Sequence, residues 1–375
     1  MKIALIVPGG VDRSGVDRVI PCILWLIERL VAAGDAVHVF TFNQEPQPGH
    51  WPLLGATVHN AGWRPQMLVT LGLILAEHRR GRFDALHAFW AGSCGVTGAL
   101  AAKLLRRPML LTLPGGDITR IPAINYGALM TRSGTARVAF AARNADVVTA
   151  PSRAMCALAA EIGIEATYLP LGVALDRWQA TPPRRRDVRA PIRLLHVANL
   201  NRVKDQGTLL RAVAKLRAHG VPFELDLIGT DTLDGAVQRR AAELGLMGDV
   251  RFHGFVPHHA LRRWVGRSDL LVMSSLHEAG PLVTLEAAAM GVPTVGTAVG
   301  HIADFAPDAA IAVPCGDADA LAEAISRAAG DEKLRLSLGV AAYAHALSID
   351  ADFTARRFRS LYAASALAGE GRLAT

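Results

Sequence analysis

Short apolar runs alternate with stretches of helical period along the whole chain, and this alternation predicts the class of fold. In the first half "KIALIV", "AVHVFTF", "ALHAF", "MLLTL" and "DVVTAP" read as strands. Residues 20–33, 66–80, 95–106, 127–143 and 152–162 between them read as helices. In the second half the strands are "IRLLHVAN", "FELDLIG", "VRFHGF", "DLLVMSS", "PTVGT" and "AIAV". Helices near 206–219, 234–245, 258–266, 281–290 and 317–329 separate them. Apolar strands alternating with helices belong to parallel sheets covered on both faces. Two such series predict an α/β chain of two doubly wound domains. The break falls at "ALDRWQATPPRRRDVRAP", where two consecutive prolines and an arginine run carry no regular period. The domains therefore read as 1–173 and 192–348, with 174–191 as a linker. Residues 349–375 read as a helix near 351–367 and a tail. Phe353, Phe358, Leu361 and Tyr362 could form one apolar stripe there, which needs a surface, expected to be that of the N-terminal domain.

Composition narrows the function. With 375 residues, 51% hydrophobic and 19% charged, the chain is globular and long enough for two cores. Four cysteines, Cys22, Cys94, Cys156 and Cys315, lie far apart, which argues against a disulfide framework or a zinc site. They suit a reducing, cytoplasmic setting. The opening "MKIALIV" is too short for a signal peptide, and "VIPCILWLI" is too short to cross a bilayer. A net charge of +7 is compatible with nucleic acid, an anionic membrane or a phosphorylated substrate. No nucleic-acid motif accompanies it, and aromatic residues are only 6% of the chain. A solvated basic surface explains the charge equally well. "EHRRGRF", with Arg79, Arg80 and Arg82, follows the apolar "LVTLGLILA" and fits a peripheral contact with the inner face of a membrane. An ordinary core helix with a solvated basic end fits it too.

Open α/β sheets bind ligands beyond the carboxyl ends of their strands. The stretch "SSLHEAGPLVTLEAAAMGVPTVG" stands at such an end. Pro281 suits the first position of a helix, and Gly280 lets a ligand approach the backbone. The start of that helix offers N–H groups and a positive dipole end to an anion. Glu286, nearly two turns in, suits a vicinal diol such as that of ribose. Glu278, in the loop, suits a sugar hydroxyl at the other end of the ligand. The spacing alone is common, and a glutamate near a helix start is favourable by itself.

The surrounding stretch "HEAGPLVTLEAAAMGVPTVGTAVG" resembles the donor-binding signature of family 4 glycosyltransferases, usually E-G-F-G-x-x-x-x-E-A-M-A-x-G-x-P-V-V. Glu278, Glu286, Ala287, Gly291 and Pro293 match it, and Ala279-Gly280-Pro281 stands in place of Gly-Phe-Gly. The resemblance extends over nearly the whole chain. "LHVANLNRVKDQGTLLRAVAKL" is similar to the family's diphosphate loop, with Lys204 on the family lysine. Asn199 falls where an arginine is common, with Arg202 nearby. "YLPLGVALDRW" resembles the end of the family's first domain. "HGFVPHHALRRWVGRSDLLVMSS" resembles its nucleobase-contacting run, which points to Gly254, Phe255 and Val256. "SGVDRVIPCILWLIERLVAAGDAVHVF" looks like the glycine loop, helix and strand of the first domain; Gly15 aligns with the loop glycine, and Gly9 and Gly10 end the first strand. His87 in "LHAFW" matches a common family histidine, although a structural role explains it as well. The family's His-Gly-x-Asp reads here Pro114-Gly115-Gly116-Asp117, with the histidine replaced.

The resemblance implies the GT-B fold, in which two doubly wound Rossmann-like domains face a central cleft. It also implies a retaining transferase that takes a nucleotide-sugar as co-substrate, with no further cofactor and no metal. The acceptor would be a sugar, a lipid-linked or another hydroxyl compound. Lys204, Glu278 and Asp117 are the implied catalytic residues. Ala279, Gly280, Pro281, Leu282 and Val283 join Glu286, Arg202, Asn199 and the 254–256 run around the donor. Gly9, Gly10, Gly15 and His87 are assigned to the acceptor or diphosphate loop. A nucleotide-sugar epimerase and a silent nucleotide-sugar-binding subunit remain as alternatives. Asp317-Ala-Asp319 and Asp350-Ala-Asp352 spell the metal-binding D-x-D but stand at helix starts, where aspartate caps N–H groups. "GGVDRSG" lacks the dinucleotide spacing, and there is no P-loop.

Overall fold

The computed structural model describes residues 1–63 and 65–373, and the chain divides into two compact units. Unit 1 comprises Met1–Gly172 together with the C-terminal segment from Ala351, and unit 2 is Val173–Asp350.

The strands of unit 1 are β1 (Lys2–Val7), β2 (Ala36–Thr41), β3 (Gly49–Leu53) and β4 (Ala56–Asn60), followed by β5 (Ala85–Phe89), β6 (Met109–Thr112), β7 (Val147–Ala150) and β8 (Thr167–Tyr168). They form one sheet in the order β3-β4-β2-β1-β5-β6-β7-β8, parallel except for the β3–β4 hairpin. Its helices are α1 (Pro21–Ala32), α2 (Gln66–Arg80), α3 (Ser93–Leu105), α4 (Arg132–Arg143) and α5 (Arg153–Glu161). β1 and β5 are wholly apolar apart from Lys2 and His87, because helices cover both faces of the sheet centre. The sequence pattern does not show β3, β4 or β8. β3 carries Pro52, which an edge strand tolerates, and the hairpin turns through Leu54 and Gly55, both at positive φ.

Unit 2 opens with α6 (Leu175–Trp178), within the stretch read as linker. Its strands are β9 (Ile192–Val197), β10 (Phe223–Ile228), β11 (Val250–Phe252), β12 (Leu270–Met273), β13 (Thr294–Thr297) and β14 (Ala310–Val313). They pair in parallel in the order β11-β10-β9-β12-β13-β14. The helices are α7 (Gln206–Ala218), α8 (Ala236–Glu243), α9 (His258–Arg267), α10 (Leu282–Ala289), α11 (Gly300–Phe305), α12 (Ala318–Gly330) and α13 (Glu332–Ser348). Asp317 caps α12 by accepting from the Ala320 N–H at 2.9 Å.

The 174–191 stretch is not a free linker. Thr181 donates its N–H to the Ala289 carbonyl at 2.9 Å, and the Arg184 guanidinium reaches the Asp269 carboxylate at 3.2 Å. The Arg186 N–H donates to Glu332 at 3.0 Å. The prolines and arginines that break regular period are the contacts that strap the segment to unit 2.

In unit 1, α14 (Ala351–Leu373) packs on α1 and β5. Phe358 and Tyr362 are fully buried in the core beside Ile27, Leu30 and Phe89. Arg359 pairs with Asp35 at 2.7 Å, and Thr354 accepts the Gly172 N–H at 2.9 Å. Among the described residues, no helix is long and apolar enough to cross a membrane.

Candidate active site

A doubly wound sheet opens a crevice where the strand order reverses. In unit 2 the reversal lies between β9 and β12, both central and parallel. The loops leaving their carboxyl ends carry Lys204 and Glu278, 74 positions apart in sequence. The Lys204 Nζ donates to Glu278 Oε1 at 2.5 Å, and the Ser275 hydroxyl donates to the same oxygen at 2.7 Å. The lysine side chain is 22% exposed and the glutamate 10%. This is a part-buried ion pair at the carboxyl ends of the two central strands.

The two loops are stitched together beneath the pair. Asn201 caps the turn Arg202–Lys204 by accepting the Lys204 N–H at 3.2 Å. The Ser274 hydroxyl donates to the Lys204 carbonyl at 2.8 Å, and the Leu276 N–H donates to Val203 at 2.8 Å. Below them His196 is fully buried; its Nδ1–H donates to the Val272 carbonyl at 2.8 Å, leaving Nε2 to accept from Gln206 at 3.2 Å. Burial holds this imidazole neutral, with its pKa lowered to about 4. Arg202 is exposed beside the pair.

The helix that follows is α10. Pro281 is its cap, with extended ψ of 114°, and not its first helical residue, so the helix starts one position later than the sequence suggests. Leu282 and Val283 then supply the first N–H groups of the helix, which precede its internal ladder. Ala279 and Pro281 are buried and Gly280 half-buried. The loop is backed by Gly300, at φ +50°, where a Cβ would lie 3.0 Å from the Glu278 carbonyl oxygen. α10 ends in a Schellman turn: Val292 N–H donates to Ala287 and Gly291 N–H to Ala288, each at 2.9 Å.

Glu286 projects from α10 and is 2% exposed. Its Oε1 meets His258 Nε2 of α9 at 2.5 Å, while Oε2 has no partner among the described residues. The His258 ring stands edge-on to Trp178 of α6, centroids 5.7 Å apart. His258, Ser275 and His196 escape a sequence reading because each lies inside a run that reads equally well as ordinary helix or strand. The doubled histidine of "VPHHAL", just before a helix, is the one available signal.

The remaining donor candidates gather around the same sheet ends. Asn199 Oδ1 accepts the Thr230 N–H at 3.2 Å, so it ties the β9 and β10 loops together. The Gly229 N–H donates to the Gly254 carbonyl at 2.8 Å, which adds the β11 loop. That loop presents Phe255, 63% exposed, with Val256 half-buried beside it. The Asp226 carboxylate anchors its root through His253 at 2.6 Å and Arg267 at 3.0 Å.

Unit 1 corrects the assignment of His87 to a ligand loop. His87 lies in β5, fully buried, with Nδ1 at 2.7 Å from the Tyr362 hydroxyl and Nε2 at 2.7 Å from Thr112 Oγ1. Desolvation lowers its pKa to about 3. It is a core residue that docks α14 and belongs to no ligand loop. Asp117 is 5% exposed, and its Oδ1 accepts the Ala91 N–H at 2.9 Å while Oδ2 is buried without a partner among the described residues. Burial raises its pKa to about 7. Through this bond it joins the β5 and β6 loops.

The loop after β1 holds Gly9, Gly10 and Gly15. Gln44 Oε1 accepts the Gly10 N–H at 2.7 Å, and the Gly10 carbonyl accepts the Ile20 N–H at 3.0 Å. Gly10 and Gly15 both have positive φ, but only Gly10 is sterically required, since a Cβ there would sit 2.3 Å from Ile20.

Against known families, the description "Glycosyl transferases group 1" matches residues 184–345, and "Glycosyl transferase 4-like domain" matches residues 19–172. A Bacillus subtilis (strain 168) protein, TuaC, whose name assigns it to teichuronic acid biosynthesis as a glycosyltransferase, is 26% identical over 75% of this chain and 70% of its own. Among solved structures, the sucrose-phosphate synthase of Thermosynechococcus elongatus superposes with a TM-score of 0.79 at 21% identity, covering 97% of this chain and 100% of the other. Anabaena Alr3699/HepE in complex with UDP-glucose gives 0.74 at 18% identity, over 96% and 99%.

Proposed function

Because the chain belongs to the family 4 glycosyltransferases, enzymes of the GT-B fold, we propose that it moves a sugar from a nucleotide-sugar to an acceptor hydroxyl with retention of anomeric configuration. The product would be a polysaccharide or other glycoconjugate, in keeping with the name of TuaC. One observation carries the reading: Lys204 and Glu278 meet at the switch point of the unit 2 sheet, one turn from the start of α10.

In this reading the diphosphate lies across Lys204, Arg202 and the N–H groups of Leu282 and Val283. These groups gain most when the leaving phosphate takes up charge. The acceptor oxygen bonds to the anomeric carbon on the face from which the phosphate departs. The sugar–phosphate bond breaks, and the departing phosphate oxygen takes the acceptor's proton. Glu278, freed in part from Lys204 by the competing diphosphate, accepts from a hydroxyl of the transferred sugar. Glu286, oriented by His258, offers Oε2 to the ribose diol. Phe255 offers an exposed ring to the base. The leaving charge is met by these groups without a metal, so transfer is expected to persist in a chelator. HepE, which shares the fold, holds UDP-glucose. A lipid-linked acceptor would bring unit 1 to an anionic membrane; α2 carries the exposed Leu68 in its first turn and Arg79 and Arg80 in its last. Salt-sensitive sedimentation with anionic vesicles tests that point.

Calorimetry with UDP, UDP-glucose and GDP-mannose tests the donor, followed by NMR of the anomeric proton of any product. Binding of one nucleotide, weakened in Glu286→Ala by the loss of about 1.5–3 kcal/mol, is the expected result. Binding of none, or a product of inverted configuration, overturns the reading.

A further inference from the structure

Three strands at one edge of the unit 1 sheet, β3, β4 and β2, turn histidines toward the face opposite α1. Val37, Val39, Trp51 and Val58 of these strands belong to the core that includes α1. Side chains alternate along a strand, so His38 and Phe40 of β2, His50 of β3 and His59 of β4 share the other face. A sheet face covered by a helix is ordinarily apolar. Here each of the three strands places an imidazole there, and α2 packs against β2 and brings Glu77 to two of them.

The groups converge. His38 Nδ1 lies 3.1 Å from His59 Nε2, and His38 Nε2 lies 3.7 Å from Glu77 Oε1. His38, His59 and Glu77 each bring one ligand atom within 4.8 Å of the other two. Around a tetrahedral zinc with bonds of about 2.0–2.2 Å, ligand atoms stand about 3.3–3.5 Å apart. Side-chain rotations close that difference, on two hydrogen-bonded strands and a helix that need not move. Phe40 stacks on His59 with centroids 4.7 Å apart, and Phe83 meets the His38 ring edge-on at 5.7 Å, which fixes both imidazole planes. Burial keeps the two imidazoles neutral at pH 7, lowering the pKa of each, to about 4 for His59, so each has a lone pair to give. His50 stands directly opposite His59 in the β3–β4 ladder and is exposed, within reach as a fourth ligand.

Glu77 already answers two cations. Lys2 Nζ donates to its Oε1 at 2.9 Å, and Arg80 donates to its Oε2 at 3.2 Å. Neither closes the site. Lys2 also holds the carbonyls of Glu77 and Gly81 at 3.2 Å and 2.9 Å, so it stays satisfied when the carboxylate turns. Arg80 is 76% exposed and exchanges its partner for water at little cost. An ionised carboxylate has more lone pairs than these two bonds use. Lys2 is the first residue of β1, so its contacts also place Glu77 toward the amino ends of the strands. A doubly wound sheet binds its ligands at the other end.

We propose that His38, His59 and Glu77 form a site for a divalent transition-metal ion, zinc by the chemistry of the donors, which fastens α2 to β2 and β4. Two imidazoles and one carboxylate are a donor set that zinc takes, with a fourth position for His50 or water. The site is structural and stands apart from the transfer reading, in which no metal acts.

The test uses the full chain, stripped with EDTA and exchanged into chelator-free buffer at neutral pH. Zinc sulfate is titrated by calorimetry. Cobalt chloride is titrated by visible absorption, because four-coordinate Co2+ absorbs far more strongly than the hydrated ion. The wild type is expected to bind one zinc ion saturably, to give the four-coordinate cobalt spectrum, and to melt at a higher temperature with zinc than without. His38→Gln and His59→Gln should each weaken zinc by about ten-fold or more, a loss that even outer partners of a metal cause. Arg80→Ala, which releases Glu77 Oε2 at an exposed position and leaves the rings untouched, should tighten it. A cooperative melt of each variant without zinc verifies that it is folded. No saturable zinc binding by the wild type overturns the site. Binding that both His38→Gln and His59→Gln leave unchanged overturns it too, since the zinc would then sit on other residues of the chain.

Discussion

Read along the sequence, Lys204 serves the diphosphate and Glu278 a sugar hydroxyl; in the folded chain they share one short ion pair. Their effects must therefore be coupled. Lys204→Ala is expected to lower kcat by about 100-fold to 1000-fold, as for the loss of other preorganised donors. It also leaves a largely buried carboxylate with Ser275 as its remaining hydrogen-bond partner among the described residues. In denaturant unfolding, the double variant Lys204→Ala/Glu278→Ala should be less destabilised than the sum of the singles, by about 0.5–3 kcal/mol. Strict additivity would show that the pair is not formed. Asp117 gives a second test at this scale. Its folded pKa of about 7 lies above the unfolded value, so the native state holds more protons between about pH 4 and pH 7. This group's contribution to stability therefore falls as pH rises through that window. Asn at 117 can still accept the Ala91 N–H, so the stability of Asp117→Asn relative to wild type should rise from pH 5 to pH 8 in thermal melts. A difference that does not change with pH would mean the carboxyl titrates normally.

α10 shows how an element is fixed by a segment distant in sequence. Its C-terminal turn passes through Gly291 at φ +64°, and a Cβ there would lie 2.3 Å from the backbone nitrogen of Pro183. Gly291→Ala therefore combines a left-handed alanine with a backbone clash, and should cost at least about 1–2 kcal/mol. It should also weaken nucleotide binding, since Glu286 lies on the same helix. An unchanged unfolding midpoint would show that the strap gives way freely. α13 makes the complementary point. The sequence does not show it, because its pattern is inverted: Arg335 is 2% exposed while Val340 is 58% exposed. Arg335 is drawn inside by Glu332 at 2.7 Å and by the carbonyl of Arg184 at 2.7 Å, contacts that no periodicity could reveal.

Over the whole molecule, burial makes the chain sensitive to acid. His87, His196 and His301 are fully buried, with pKa values lowered to about 3, 4 and 4, and His59 is lowered to about 4. These imidazoles are neutral when folded and take protons when unfolded. Their contribution is intact above about pH 6.5 and is lost as pH falls toward 4, at up to about 1.4 kcal/mol per group per pH unit. The melting temperature should fall between pH 7 and pH 5, against the opposing but smaller rise from Asp117. His301 has no hydrogen-bond partner among the described residues on either ring nitrogen and stacks on Phe305. His301→Phe should accordingly flatten this slope and stabilise the chain most at pH 5; an unaltered slope would exclude His301 from it. What the sequence determined by itself was the alternation of strand and helix, the two parallel sheets, and the family signature stretch around Glu278 and Glu286. Strands buried on both faces and helices with one apolar stripe write those features locally. The tertiary structure alone decided the β3–β4 hairpin, the strap of 174–191 along unit 2, and the inward turn of His87 and Asp117. It also decided that Lys204 meets Glu278, that His258 holds Glu286, and that Glu77 comes to His38 and His59. Each of these is a pairing across tens of residues, set by which strand ends the sheet order brings together, and no local pattern encodes that order.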